Sequence, residues 1–309
     1  MHPKKFLTAN SLVFLSFCLL AEPSALAGTA VATPENCPSL IVGTRPESIT
    51  RGFGGDLFIT VMGGTEPGDG VVKRIRDEEI ISIFATGMDE PKGIAYVGDC
   101  LVASDLDRLV RIDEDGKATV LADKDQFPNP VLYLNDVAAA PDGKGVYVTD
   151  MGDRTGMWQS DGVFSDFDSV DAKAMRAVGR VYHVSLEGKV TEVIPASRKM
   201  INPNGVGVGN NGQLLVGAFF NGYLLEWRGR ELHIVAEGMR GADAVEQDSN
   251  GNYYVSSWNQ GKVWKISPNG DSRLIADGFQ RAADFHLDED RGVLFLPDMA
   301  AGRLYVIKL

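Results

Sequence analysis

Apolar residues recur along this chain in short alternating runs. The clearest are Asp56-Leu57-Phe58-Ile59, Leu101-Val102-Ala103, Val146-Tyr147-Val148, Leu214-Leu215-Val216, Tyr253-Tyr254-Val255 and Val293-Leu294-Phe295-Leu296. Period-two runs of this length, bounded by Gly, Asp or Asn, predict strands and exclude a mostly helical fold. Each run is preceded by a similar segment, the six being Pro46-Glu47-Ser48-Ile49, Pro91-Lys92-Gly93-Ile94, Leu134-Asn135-Asp136-Val137, Pro203-Asn204-Gly205-Val206, Ala242-Asp243-Ala244-Val245 and Ala283-Asp284-Phe285-His286. A turn residue separates segment from run each time: Gly55, Asp99, Gly143, Gly212, Gly251 or Gly292. Third strands such as Arg108-Leu109-Val110-Arg111-Ile112 follow, and hairpin signals at Asp115-Gly116 and Asn269-Gly270 lead to fourth strands.

With Glu47, Lys92, Asn135, Asn204, Asp243 and Asp284 taken as one column, the spacings are 45, 43, 69, 39 and 41 residues. Four of the five match the period of a four-stranded propeller blade, so the chain reads as an all-β, six-bladed β-propeller. A sandwich of unrelated strands has no reason to repeat one turn offset six times. The long interval holds an insertion at about residues 151–179, placed as a loop on one face. The last blade has too little chain for a fourth strand, which Ser39-Leu40-Ile41-Val42 can supply, closing the ring.

First strands of propeller blades line the central channel, so the column becomes a ring of polar side chains. Three carboxylates facing one another repel unless a cation sits between them. Carboxylate and carboxamide oxygens without thiolate or imidazole suit a hard cation, which predicts Ca²⁺ held by Glu47, Asn204 and Asp243, with Asn135 as a fourth ligand or reaching through water. Two plainer readings stand beside this one. Asp and Asn also cap turns, and Lys92 could serve as an internal counter-ion.

Composition narrows the partners. The 309 residues include 35 Gly and carry a formal net charge of −12, which disfavours nucleic acid and anionic lipid. Lys4 and Lys5, the apolar run from Leu12 to Leu20 and the small residues of Ala25-Leu26-Ala27 predict a signal peptide of residues 1–27 that takes Cys18 with it. The expected mature chain, 28–309, is one propeller domain, secreted or periplasmic, with no membrane attachment after cleavage. Cys37 and Cys100 remain there, as a disulfide or as two buried thiols.

The residues at these positions carry a resemblance over essentially the whole mature chain. Glu47, Asn135-Asp136, Pro203-Asn204-Gly205 and Asp243 resemble the pattern of the regucalcin/gluconolactonase family of calcium-dependent six-bladed propellers. The resemblance implies that Glu47, Asn204 and Asp243 bind the metal and that Asp243 is also the general base of lactone hydrolysis. Tyr133 stands where the family's sugar-lactonases carry an arginine for substrate hydroxyls, and Val137 and Ala244 replace family glycines, which weakens the implication of a sugar-acid substrate.

The expected activity is therefore metal-assisted hydrolysis of a small lactone or ester. The ion polarises the carbonyl and Asp243 accepts the proton of the attacking water. Lys92, Tyr133, Asp284 and His286 are the candidates to meet the substrate; Lys92 reads equally as a wall residue paired to Asp284, and a lone histidine such as His286 near a blade start is more often a hydrogen-bonded structural residue. A non-catalytic binding propeller with a structural Ca²⁺ is the alternative, and a metal-free carbon–nitrogen bond-forming propeller a third reading. Trp158, Phe164 and Phe167 form either a lid over the mouth or packing on the propeller face. Gly207-Val208-Gly209-Asn210-Asn211-Gly212 fits a dinucleotide fingerprint but runs into a strand, not a helix, and so reads as a turn, as does Asp113-Glu114-Asp115-Gly116. The sequence has no G-x-S-x-G, H-E-x-x-H, P-loop or C-x-x-C motif.

Overall fold

The computed structural model describes residues 30–77 and 79–309; the signal peptide expected at 1–27 and Cys18 lie outside the described residues. Six four-stranded antiparallel sheets form the ring. Blades one to five occupy residues 46–88, 91–122, 134–194, 203–237 and 242–276. The sixth combines His286–Asp288, Val293–Asp298 and Arg303–Lys308 with Ser39–Ile41 from the N-terminal side, paired antiparallel as Ser39 with Tyr305, Leu40 with Leu304 and Ile41 with Arg303. The chain thus closes its own ring as the sequence predicts. No described helix is long and apolar enough to cross a membrane.

The core is distributed around the ring rather than gathered at the centre. Six apolar clusters each lie between two neighbouring blades. Val137, Val146 and Val148 of blade three, for example, meet Val102 and Leu109 of blade two. Each sheet buries both faces against its neighbours, so the polar residues of the inner strands are left for the axis.

Every inner strand carries a one-residue bulge at the ring position. Pro46 pairs with Val61 and Ile49 with Ile59, so three steps on one strand oppose two on the next, and the same shift recurs in blades two to five. In blade six, four steps from Ala282 to His286 oppose three from Asp298 to Phe295. A bulge re-aims side chains, letting two consecutive residues face the channel. Hydroxyls on the second strands hold the bulged backbone. Thr60 accepts the Ser48 N–H (2.9 Å) and donates to the Lys92 carbonyl of the next blade (2.7 Å). Thr149 does the same for Asp136 (3.0 Å) and Asn204 (2.6 Å), and Ser104 donates to the Asn135 carbonyl.

Blade four has Gly217 in place of that hydroxyl, and its inner strand lies close against blade five. A Cβ on Gly205 would sit 1.7 Å from the Asp243 carbonyl oxygen. Backbone cannot yield as a side-chain tip can, so Gly205→Ala is expected to cost about 3 kcal/mol in denaturant unfolding and to displace Asp243. A variant as stable as the parent would refute this account of the glycine.

The pairing sets the register of blade six and corrects one sequence assignment. Ala282, not Ala283, is equivalent to Pro46, Pro91, Leu134, Pro203 and Ala242. Ala283 therefore occupies the ring position and Asp284 lies one level deeper, bridged to Ser48. Cys37 is half-buried, Cys100 is buried, and both are free thiols, so no disulfide joins them.

Candidate metal and substrate site

Three levels succeed one another down the channel. The first holds Glu47, Lys92, Asn135, Asn204, Asp243 and Ala283; the second holds Ser48, Gly93, Asp136, Gly205, Ala244 and Asp284. The third includes Glu246 and His286, and with Asp136 and Asp284 these line a separate cavity of about 230 Å³ at the far end of the inner strands. A cavity of about 300 Å³ opens on the first level. Of the sequence candidates, Glu47, Lys92, Tyr133, Asn135, Asn204 and Asp243 meet there. Asp284 and His286 do not; the blade-six register and strand direction carry them to the other cavity.

The five polar side chains of the first level are almost wholly buried, between 1% and 4% exposed. One oxygen from each of Glu47 (Oε2), Asn135 (Oδ1), Asn204 (Oδ1) and Asp243 (Oδ1) is buried without any hydrogen-bond partner. Buried polar atoms are seldom left so, because each costs its full desolvation. The Asn135 amide nitrogen lies 3.0 Å from the Met151 sulfur, an arrangement that leaves its oxygen, not its nitrogen, unpartnered. Two carboxylates and two carboxamides with four orphaned oxygens are the donor set of a hard divalent cation, and these residues fit one. Among the described residues no three His, Cys, Asp or Glu side chains form a metal-holding group, so the carboxamides are essential to this reading.

Lys92 does not discharge the ring. Its Nζ donates to the Glu90 carbonyl (3.1 Å), lies 3.5 Å from Glu90 Oε2 and sits 4.1 Å from the centre of the Tyr133 ring. The carboxyls accordingly hold protons tightly. Burial, then the charge of Asp136, pushes Glu47 up to about 8, with Lys92 only partly offsetting them. Burial and the charges of Glu47 and Asp136 push Asp243 well above the usual carboxylate range.

Beneath the ring, Asp136 accepts the N–H groups of Val206 and Val137, both at 2.6 Å, tying blade three to blade four. Burial nevertheless raises it to about 6. Asp284 accepts the Ser48 hydroxyl and is raised well above the usual range, first by burial and then by Asp136 and Glu47. Burial, then the Arg51 charge, holds His286 down at about 4; its Nδ1 lies 4.0 Å from Glu246.

One side of the ring-side cavity comes from the insertion. Met151, Arg154, Met157 and Trp158 face it, opposite Met62, Phe219, Trp258 and Met299. Phe164 is buried behind Trp158 and against Phe219 and Phe220, whereas Phe167 is half exposed and touches Phe220. Of the three aromatics expected in a lid, Trp158 thus faces the cavity and the other two brace it. Arg240 pins the insertion, donating to the Ser165 carbonyl (2.8 Å) and lying 4.4 Å from the Phe164 ring centre and 4.1 Å from that of Phe167. Asn202 donates to the carbonyls of Met151 and Asp153, both at 2.9 Å.

Sequence reasoning missed a repeated aspartate at the end of the second strands. Asp105 accepts the N–H groups of Asp89 and Glu90, Asp150 that of Tyr133, and Asp298 those of Gln280 and Arg281. These carboxylates fix the loops entering the inner strands and so place Tyr133 at the cavity and Glu90 against Arg45 and Lys92. The signal was legible, since Asp105, Asp150 and Asp298 end the repeats at Ser104-Asp105, Thr149-Asp150 and Pro297-Asp298.

No protein-family model matches the sequence, and no curated protein does. Solved structures match its shape. A gluconolactonase from Xanthomonas campestris superimposes with a TM-score of 0.65 at 18% identity, over 88% of this chain and 90% of that one. The calcium-binding protein regucalcin from Agrobacterium tumefaciens gives 0.62 at 16%, over 87% and 90%. Virginiamycin B lyase from Staphylococcus aureus gives 0.61 at 13%, over 88% and 99%. At these identities the likeness is one of fold, and a single architecture hosts different chemistries. The chain is a six-bladed β-propeller, similar in fold to the gluconolactonase and to regucalcin, and it shares the propeller architecture with the lyase.

Proposed function

We propose that the chain is an exported, Ca²⁺-dependent hydrolase of a lactone or ester, working at the ring-side cavity. The observation that carries the reading is the set of four unpartnered, buried oxygens of Glu47, Asn135, Asn204 and Asp243 at one face of an open cavity. The likeness in shape to a gluconolactonase and to a calcium-binding regucalcin supports it. Export rests on the N-terminal segment, residues 1–27.

Glu47, Asn204 and Asp243, with Asn135, would hold the ion. When bound, a divalent cation supplies Lewis-acid polarisation of the substrate carbonyl. Asp243 takes a proton from water as the water oxygen bonds to the carbonyl carbon. When the acyl carbon–oxygen bond breaks, the same carboxyl returns the proton to the leaving alkoxide. Lys92, fixed by Glu90, keeps one positive charge beside the reacting centre. Met151, Met157 and Trp158 keep bulk water from the walls, which strengthens every charge interaction inside.

A panel of lactones and aryl esters, assayed with chelator and with added calcium, tests the proposal. Turnover on at least one substrate is expected, falling about 100-fold or more on chelation and returning with calcium. Rates indifferent to chelation remove the metal from the reaction. Absence of turnover across the panel, with small-molecule binding intact, leaves a binding propeller instead.

A further inference from the structure

The cavity above the ring has walls suited to one class of substrate. A sugar lactone carries several hydroxyls, each needing an acceptor or donor when buried, and a site that offers none rejects it. Above the ring oxygens, the walls are built from four methionine side chains and the rings of Trp158, Phe219 and Trp258. Two of the four methionine sulfurs, weak acceptors at best, are already engaged: that of Met151 by the Asn135 amide (3.0 Å) and that of Met299 by the Trp258 indole N–H (3.4 Å). The opening therefore favours an apolar, ring-sized body over a polyhydroxylated one.

Of the remaining lining side chains, Tyr133 carries a hydroxyl, and Arg45, Lys92 and Arg154 are cations. Arg45 is tied to the Gly63 carbonyl and to Glu90, and Lys92 shares the same Glu90. Arg154 is exposed, lies 3.5 Å from the centre of the Tyr133 ring, and has no carboxylate within ion-pair distance among the described residues. With a divalent ion balancing Glu47 and Asp243, the walls hold three positive side chains, and the single carboxylate of Glu90 beside them is shared by Arg45 and Lys92. That imbalance calls for an anion, and Arg154 is the group with its guanidinium free of a carboxylate.

We infer that the substrate is a small lactone or ester with an apolar, aromatic-sized body and one carboxylate, the carboxylate being received by Arg154 at the rim. This rests on the reading of the ring-side cavity as the substrate site. The discriminating side chains are Trp158 and Trp258 for the body and Arg154 for the charge.

Two of the four tryptophans line this cavity, so fluorescence reports binding without any need for turnover. Phenylbutyrate, phenylbutanol and gluconate are titrated into the intact protein, with calcium and with chelator, and Trp158→Phe identifies the signal. Phenylbutyrate is expected to bind about ten-fold more tightly than phenylbutanol, with gluconate weakest. Arg154→Gln is expected to abolish the preference of acid over alcohol. Gluconate binding best, or equal affinity for acid and alcohol, overturns the inference. A preference that survives Arg154→Gln and needs calcium puts the carboxylate on the ion and equally overturns it. The two proposals fail separately: aromatic-acid binding with no hydrolysis of any lactone or ester removes the hydrolase and sustains the inference. Calcium-dependent hydrolysis of sugar lactones without aromatic-acid binding does the reverse.

Discussion

Asparagine at position 243 is expected to lower lactone or ester turnover by about 10³-fold at saturating calcium, the scale on which a positioned general base contributes. The amide preserves side-chain volume at a site only 1% exposed and keeps one oxygen for the ion, but it cannot accept the water proton. Folding and calcium uptake should therefore survive, as read by circular dichroism and calorimetry, while kcat collapses. Retained turnover in Asp243→Asn would assign the proton to another group. If the protein were a binding propeller, the same variant would keep its ligand affinity and reveal no catalytic loss.

The calcium-free protein is expected to lose stability as pH rises from about 5 to 9. Glu47 titrates near 8 and Asp136 near 6 in the fold, against ordinary values of 4.5 and 3.8. Between those limits the folded state binds more protons than the unfolded one, so stability is fully present below the ordinary values. It is lost as pH climbs through the raised ones. Both groups are fully buried, and at about 1.4 kcal/mol per unit the loss amounts to several kcal/mol. His286 works in the opposite sense. Its folded value of about 4 lies below the ordinary 6.5, so the stability it contributes is present above 6.5 and lost as pH falls toward 4. Calcium binds the ionised carboxylates and should cancel much of the alkaline loss, adding about 2.7 kcal/mol at a hundred times its dissociation constant. Thermal unfolding at pH 5 and pH 9, with chelator and with calcium, measures both. A chelated protein more stable at pH 9 than at pH 5, or one unaffected by calcium, contradicts the reading of the buried ring oxygens as cation ligands.

Blade number and ring closure could be read from the chain because both follow from repetition: the strand runs recur at one offset, and Ser39–Ile41 is the unpaired strand that a six-bladed count requires. The five ring positions from Glu47 to Asp243 were legible for the same reason. Blade six was misread by one residue because Arg281-Ala282-Ala283-Asp284 lacks the proline that opens three of the other inner strands, and a polar side chain drew the alignment onto itself. The bulges were invisible to a period-two reading. They place Glu47 and Ser48, or Asn135 and Asp136, side by side at consecutive channel levels, where alternation would put them on opposite faces. The cavity walls were only half legible, since composition marked the insertion as methionine-rich and aromatic without saying which ring would turn inward. Trp158 does so because Phe164 and Arg240 wedge it from behind.

The pairing of Ser39–Ile41 with Arg303–Lys308 has a topological consequence. Val306 donates to the Pro38 carbonyl (3.0 Å) and Ala32 is bridged to Ala276 at the edge of blade five, so the first described residues and the C-terminal strand lie on the same arc of the ring. A short linker from Leu309 back to Ala30 would make the backbone circular, and the six inter-blade connections would then be interchangeable as places to cut it. A circular permutant opened at the exposed connection of residues 123–126, between blades two and three, should assemble the same ring of oxygen-bearing side chains, because none of them depends on where translation starts.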